Sequence, residues 1–503
     1  MTDRVRNLIA GTWADGAAGE LFASRNPADT REVIAEAPLS GPEDVDRAVS
    51  AARTAFPGWR LTPPPRRGEI LFRAGEQLIR NKERLGRLVT REMGKVIAEG
   101  LGDVQEAIDI SFYMAGEGRR LQGETIPSEL PSKDCKSIRE PLGVVALVTP
   151  WNFPVAIPAW KLFAALICGN TVILKPSSDT PACAAALVEI LAEAGIPPGV
   201  VNFITGPGDR TGEYLMTHPD VDAASFTGSC AAGERLERRL ASLHRPLALE
   251  MGGKNAIIVM DDADLDLAVE GTIWGGFGTT GQRCTAASRI IVHERVHDLF
   301  VERLSSRVSR LRLGSGLEAG TEVGPLVNGA QGEKVLDSIR IGINEGAQLV
   351  IGGTRVADGD LSHGFFISPA IFTGVTPAMR IAREEIFGPV VSILRCSSFG
   401  EAVAMVNGVD FGLSSAIYSR DVNITARAER ELQTGIVYIN ASTIGAEVQL
   451  PFGGWRHSGS GHPEAGGRGG AIDFFSRIKV IYRDYSGRLQ RAQIDTGPGQ
   501  GKE

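Results

Sequence analysis

Six cysteines are scattered through the 503 residues, and one of them, Cys284, stands in a setting suited to chemistry. It closes the run Gly275-Gly276-Phe277-Gly278-Thr279-Thr280-Gly281-Gln282-Arg283-Cys284, whose glycines let backbone and ligand approach closely. A thiol there is a candidate nucleophile. The adjacent Arg283 is expected to lower its pKa and favour thiolate. Upstream, Leu249-Glu250-Met251-Gly252-Gly253-Lys254-Asn255 sets a carboxylate beside a glycine pair, as suits a general base that must move toward a reacting centre. A solvated Glu before a turn is the plainer alternative.

Three further clusters end apolar runs. Val148-Thr149-Pro150-Trp151-Asn152-Phe153-Pro154 and Lys175-Pro176-Ser177-Ser178 each follow a strand-like segment, where doubly wound sheets bind ligands. Phe226-Thr227-Gly228-Ser229 precedes a helical stretch, so free amides and the Ser229 hydroxyl favour an anion, with simple Ser capping as the alternative. Gly206-Pro207-Gly208-Asp209 reads as a turn. His293 and His297 have the spacing of helix-borne zinc ligands, but no HExxH glutamate or third ligand accompanies them, and no metal is expected. No GxSxG elbow is present.

The elements that must position these groups alternate. Short apolar runs at 144–149, 171–176, 200–206, 223–228, 255–260, 289–294 and 389–396 predict strands, and stretches such as 183–195 predict helices between them. That rhythm implies βαβ units and a parallel sheet. At about 150 residues per domain the length suggests about three domains. With 53 Lys+Arg against 60 Asp+Glu, the net charge of −7 gives no electrostatic reason to bind nucleic acid. The absence of CxxC pairs predicts free thiols in a reducing compartment. The start, MTDRVRNLIAGTW, lacks a signal-peptide pattern, and the apolar region 142–173 is broken by Pro150, Asn152, Pro154, Pro158 and Lys161, so no bilayer span is expected. A cytoplasmic protein is the expectation.

Taken in order, TPWNFP, LKPS, FTGS, EMGGKN, GQRC, EEIFGP (384–389) and PFGG (451–454) resemble the NAD(P)-dependent aldehyde dehydrogenase superfamily. The resemblance implies an α/β fold with a Rossmann-like cofactor domain (1–118 and 142–252), an α/β catalytic domain (253–452) and a small β bridging element (119–141 and 469–487). A tail (488–503) follows. It implies Cys284 as nucleophile, Glu250 as the base that hydrolyses the thioester, and the Asn152 amide with the Cys284 N–H as oxyanion donors. NAD or NADP would be held by Val148, Thr149, Pro150, Trp151, Lys175, Ser178, Gly228, Ser229, Glu385 and Phe387, and the chain would form a homodimer or homotetramer.

The stretches EMGKVIAEGLGDVQEAIDISFY, GQRC and INASTIGAEV (439–448) look most like the antiquitin-type α-aminoadipic and bacterial semialdehyde branches. That implies a carboxylate-bearing aldehyde as substrate, with Glu106, Phe153, Trp160, Arg283, Gly445, Ala446 and Phe452 around it. Helical spacing puts Val104, Ile108 and Phe112 on one face and Glu106 on another, so Glu106 also reads as a plain solvated residue. The segment PFGGWRHSGSGHPEAGG departs from the branch, with Pro463 where a basic residue is common. Two alternatives remain: a CoA-acylating relative, against which Glu250 argues, and a catalytically silent protein on the same fold, against which Cys284, Glu250 and Asn152 together argue. In NAD-preferring relatives a Glu often stands where this chain has Ser178, and a hydroxyl there accommodates a 2′-phosphate.

Overall fold

The computed structural model describes residues 3–494. Val144–Val148 and Thr171–Lys175 are buried at every position, as strands covered by helices on both faces must be. They are neighbours in a seven-stranded sheet of order Leu247–Glu250, Ala223–Thr227, Val144–Val148, Thr171–Lys175, Val201–Phe203, Asn7–Ile9 and Thr12–Ala14. The first five run parallel, and the last two join antiparallel through a tight hairpin at Ala10 and Gly11, both at positive φ. The helices Pro64–Met93, Ile97–Glu117 and Ala156–Cys168 share one apolar core, and Pro42–Leu61 packs in another.

Strand order reverses at Val144–Val148, because the next two strands lie to one side of it and the following two to the other. A crevice opens at the carboxyl ends beside such a reversal. Those ends are Val148, Lys175, Thr227 and Glu250.

A second seven-stranded sheet has the order Gln348–Ile351, Ala370–Thr373, Val390–Cys396, Ala287–His293, Asn255–Val259, Ser414–Tyr418 and Ile436–Ile439, parallel except for the first pair. The chain passes from the first sheet to the second through residues 251–254 alone. Carboxyl ends of the first sheet therefore face amino ends of the second, and Cys284 lies just before the strand Ala287–His293. A third, antiparallel sheet pairs Lys133–Pro141 with Thr125–Pro127 on one side and Ser476–Asp484 on the other.

The apolar region 142–173 is two strands around the helix Ala156–Cys168, which is buried on all sides. Among the described residues no helix is long and apolar enough to cross a membrane. The expected tail lies outside the described residues from 495 onward; within its described part Gln490 donates to the Pro131 carbonyl at 2.8 Å. His293 ends a strand and caps the helix Glu294–Val308 by accepting from the Arg295 N–H.

Candidate active site

The turn before Cys284 is held in an uncommon shape. Thr279, Thr280 and Gly281 have φ of 50°, 58° and 68°, and two consecutive left-handed threonines persist only where neighbours over-determine them. The Thr279 N–H donates to Glu99 Oε1 at 2.7 Å, and Thr280 Oγ1 donates to the Gly324 carbonyl at 3.0 Å. Gln282 Oε1 accepts from the Val327 N–H at 3.0 Å. After the turn, Asn255 Nδ2 donates to the carbonyls of Cys284 and Ala286 at 2.7 and 3.0 Å. The sulfur is thereby carried on a rigid base.

Arg283 does not activate the thiol. Its Nη2 donates to the buried Glu99 carboxylate at 3.0 Å and its Nε to Thr279 Oγ1 at 2.8 Å, so its charge is already matched. The Cys284 thiol is instead pushed well above its ordinary value, first by burial and then by Glu464, Glu250 and Glu385. The expectation of a lowered pKa overlooked these carboxylates, which arrive from segments distant in sequence. The nucleophile must gain its ionised form from what binds beside it or from a base.

Cys284 forms part of the wall between two cavities. One, of about 150 Å³, is bordered by Pro150, Trp151 and Asn152 at the end of the central strand, with Gly228 and Ser229 at the start of the helix Cys230–Leu240. Glu385 and Phe387 close it from the second sheet. The smaller cavity, of about 70 Å³, gathers Glu106, Phe153, Trp160, Arg283, Gly445, Ala446 and Phe452 from five separate stretches of chain. Glu106 is therefore a cavity residue and not a solvated one, and desolvation with Asp103 nearby raises its pKa to about 7.

Glu250 reaches the smaller cavity from the end of its strand. Its Oε2 accepts from the Gly454 N–H at 3.2 Å, while the buried Oε1 has no partner. A Cβ at Gly453 would stand 2.9 Å from Oε1, and one at Gly454 would stand 2.4 Å from the Ser458 Cβ, so the first glycine of PFGG makes room for this carboxylate and the second for Ser458. Burial, then Glu464, holds the Glu250 carboxyl well above the usual range, which favours its neutral form and makes the carboxylate, once ionised, a stronger base. Asn152 Nδ2 donates to the Gln282 carbonyl at 3.1 Å, which fixes the amide's orientation and leaves its second N–H available.

Sequence reasoning missed the charge pair behind Glu250. Lys161, buried in the helix Ala156–Cys168, donates to Glu464, which also accepts from Thr227 Oγ1. The available signal was a lone lysine inside an apolar run, since such a charge must find a partner when buried. Gln331 and Lys334, which border the larger cavity, carried no sequence signal. Gln331 Nε2 donates to the carbonyls of Ile386 and Phe387 at 3.0 and 2.8 Å, supporting Phe387 at φ 59°. The Phe387 ring meets Trp151 edge-on at 5.4 Å.

Farther along the crevice, Lys175 Nζ and Ser178 Oγ both donate to the Gly206 carbonyl, at 2.9 and 3.0 Å. The segment read as a turn thus supplies the point where two candidate cofactor residues meet. Burial lowers the Lys175 pKa to about 8. Val148 and Thr149 are buried beneath, the latter bonded to the Lys175 carbonyl at 3.2 Å. Ser229 occupies the helix cap position, yet its hydroxyl makes no capping bond, which leaves hydroxyl and helix amides for an anion. A Cβ at Gly252 would lie 2.1 Å from a Glu385 carboxylate oxygen, so that acceptor is seated over bare backbone. Anion donors at one helix start, with hydroxyl partners on either side, fit a dinucleotide. Among the described residues no group of three or more His, Cys, Asp or Glu is placed to hold a metal ion.

Comparison with known proteins agrees with this chemistry. Residues 13–481 match the family model described as the aldehyde dehydrogenase family. An alpha-ketoglutaric semialdehyde dehydrogenase of Bacillus subtilis is 40% identical over 476 residues, covering 95% of this chain and 97% of that protein. An alpha-ketoglutarate semialdehyde dehydrogenase of Haloferax volcanii is 42% identical, covering 96% and 100%. Betaine aldehyde dehydrogenase of Staphylococcus aureus, solved in complex with NAD+, superposes with a TM-score of 0.93 at 34% identity, covering 96% of each chain. A nucleophile-bearing thiol between a dinucleotide crevice and a carboxylate-lined cavity has its explanation here: the chain belongs to the aldehyde dehydrogenase family.

Proposed function

We propose that this enzyme oxidises an aldehyde bearing a distal carboxylate to the corresponding acid, with Cys284 as nucleophile and Glu250 as base. The observation that carries the reading is the position of Cys284 in the wall shared by two cavities, with Glu250 in the second and its Oε1 unpartnered. NAD(P)+ bound in the larger cavity would accept the hydride. Glu385 and Phe387 would hold its nicotinamide end, Ser229 and Gly228 its phosphates, and Lys175 with Ser178 its adenosine ribose.

The ionised sulfur adds to the aldehyde carbon, and the carbonyl electron pair moves onto oxygen. The Asn152 side-chain N–H and the Cys284 backbone N–H would stabilise that oxyanion, and removal of one such preorganised donor costs about 10²–10³ in rate. Loss of hydride leaves a thioester on Cys284. Glu250 then takes a proton from water, the oxygen attacks the thioester carbon, and the C–S bond breaks to release the acid and the thiolate. A thiol acceptor such as CoA would not need this carboxylate.

The semialdehyde class is supported by the two relatives, both semialdehyde dehydrogenases, and by Arg283 bordering the substrate cavity. NADP is proposed to serve within about tenfold of NAD, about 1.4 kcal/mol, because Ser178 presents no negative charge to a 2′-phosphate. Self-association is proposed through the strand Ser476–Asp484, whose Ile478, Val480 and Tyr482 are all more than half exposed on one face. The six unpaired cysteines suit a reducing compartment.

Glu250→Gln tests the division of labour. Stopped-flow absorbance should retain a first-turnover burst of NAD(P)H while steady-state turnover falls by about 10²–10⁴. A burst lost together with turnover would assign Glu250 to thiol activation.

A further inference from the structure

Arg283 is held on four sides. Its guanidinium carbon lies 4.9 Å from the ring centre of Trp274 and 5.2 Å from that of Phe153, distances at which a cation is attracted to an aromatic face. In the same side chain Nη2 is bonded to Glu99 and Nε to Thr279. Phe153 also carries Lys95, whose Nζ is 3.7 Å from the ring centre and is paired with the buried Asp103 at 3.1 Å. Trp274 lies on the helix Leu265–Phe277 and is 46% exposed, an exposure that packing of the core does not account for. Arg283 Nη1 is the remaining nitrogen, on a residue that borders the substrate cavity.

We infer that Trp274 and Glu99 are positioning residues that fix Arg283 as a one-sided reader of the distal carboxylate. Arginine has side-chain conformational entropy to lose on ordering, and here that cost is met before substrate arrives. Trp274 acts through Arg283, and its ring also lies beside Gly278 at the start of the nucleophile turn. Glu99 acts through both Arg283 and the Thr279 amide, and so touches the nucleophile turn as well. The inference rests on the semialdehyde reading above.

The test compares kcat/KM for glutaric semialdehyde with that for pentanal, a pair of equal carbon number differing in the carboxylate. Arg283→Gln should lower the ratio by tenfold or more, about 1.4 kcal/mol. Trp274→Leu should lower it by about fivefold to tenfold, through a raised KM for the semialdehyde with kcat kept. Trp274→Phe, which restores an aromatic face, should recover most of the loss. An unchanged Tm for Trp274→Leu verifies that the variant is folded. If Arg283→Gln shifts the ratio and Trp274→Leu does not, or if Trp274→Leu lowers both substrates equally, the positioning role is overturned and the semialdehyde reading stands. If Arg283→Gln leaves the ratio unchanged, the carboxylate reading itself falls.

Discussion

The two cavities that meet at Cys284 are built on opposite plans. The larger takes most of its walls from the ends of neighbouring parallel strands and the start of one helix, so the course of the backbone sets much of its shape. The smaller shares the strand ends at Thr227 and Glu250, and its remaining walls are side chains that arrive from the helix at Glu106, the helix at Trp160, the nucleophile turn and two late loops. A backbone-built site is fixed by the fold and recognises what all substrates share. A side-chain-built site can change one residue at a time, and recognises what differs.

The largest test of that contrast is Cys284→Ala. Oxidation should fall by more than about 10⁴-fold, while cofactor affinity, followed by fluorescence quenching, stays within about twofold, as expected when only the nucleophile is lost. Parallel loss of cofactor affinity would show the cavities to be one unit. Gly252→Ala probes the backbone-built side. The added methyl would displace the Glu385 carboxylate, the end of a flexible side chain, so KM for cofactor should rise about tenfold with Tm little changed. An unaltered cofactor KM would remove Glu385 from the site.

Ser178→Glu should shift preference toward NAD by about tenfold in the ratio of kcat/KM values, through repulsion of a 2′-phosphate. Native discrimination against NADP well beyond a hundredfold would refute the role given to Ser178. The smallest effect is one of stability on the side-chain-built side. The Glu106 carboxyl is raised from 4.5 to about 7, so its folded state favours the protonated form. Its contribution to stability is complete below the unfolded value and is lost as pH rises through about 7. Glu106→Gln should therefore raise Tm at about pH 8 and leave it unchanged at about pH 4. Equal shifts at both would place the effect in packing and not in charge.

The same contrast explains what could be read from sequence. Val144–Val148, Thr171–Lys175, Ala223–Thr227 and Asn255–Val259 announce themselves as short apolar runs, and the strand ends that border the larger cavity follow directly from them. The segment at 200–206 promised a longer strand than Val201–Phe203, because its second half turns away to offer the Gly206 carbonyl to Lys175 and Ser178. Glu99, Gln331 and Glu464 were invisible, and Lys161 showed only as a charge inside an apolar run without its partner. Each acts on a residue far away in sequence, and no local period or spacing records such a partner. Arg283 was misjudged for the same reason: its neighbour Cys284 is adjacent in the chain, but its electrostatic partner Glu99 is 184 residues away.

The strand Lys133–Pro141 gains its long partner only when Ser476–Asp484 exists. The 334 residues between Pro141 and Ser476 take roughly 20–70 s to synthesise at about 5–20 residues per second. For that interval a nascent chain presents an edge with only the short strand Thr125–Pro127 beside it. Lys133, Asp134, Lys136, Arg139 and Glu140 stud that edge with charge of both signs, a composition that discourages strand-to-strand capture by another nascent chain. The rate at which the ribosome delivers Ser476–Asp484 thus sets how long this edge stays open.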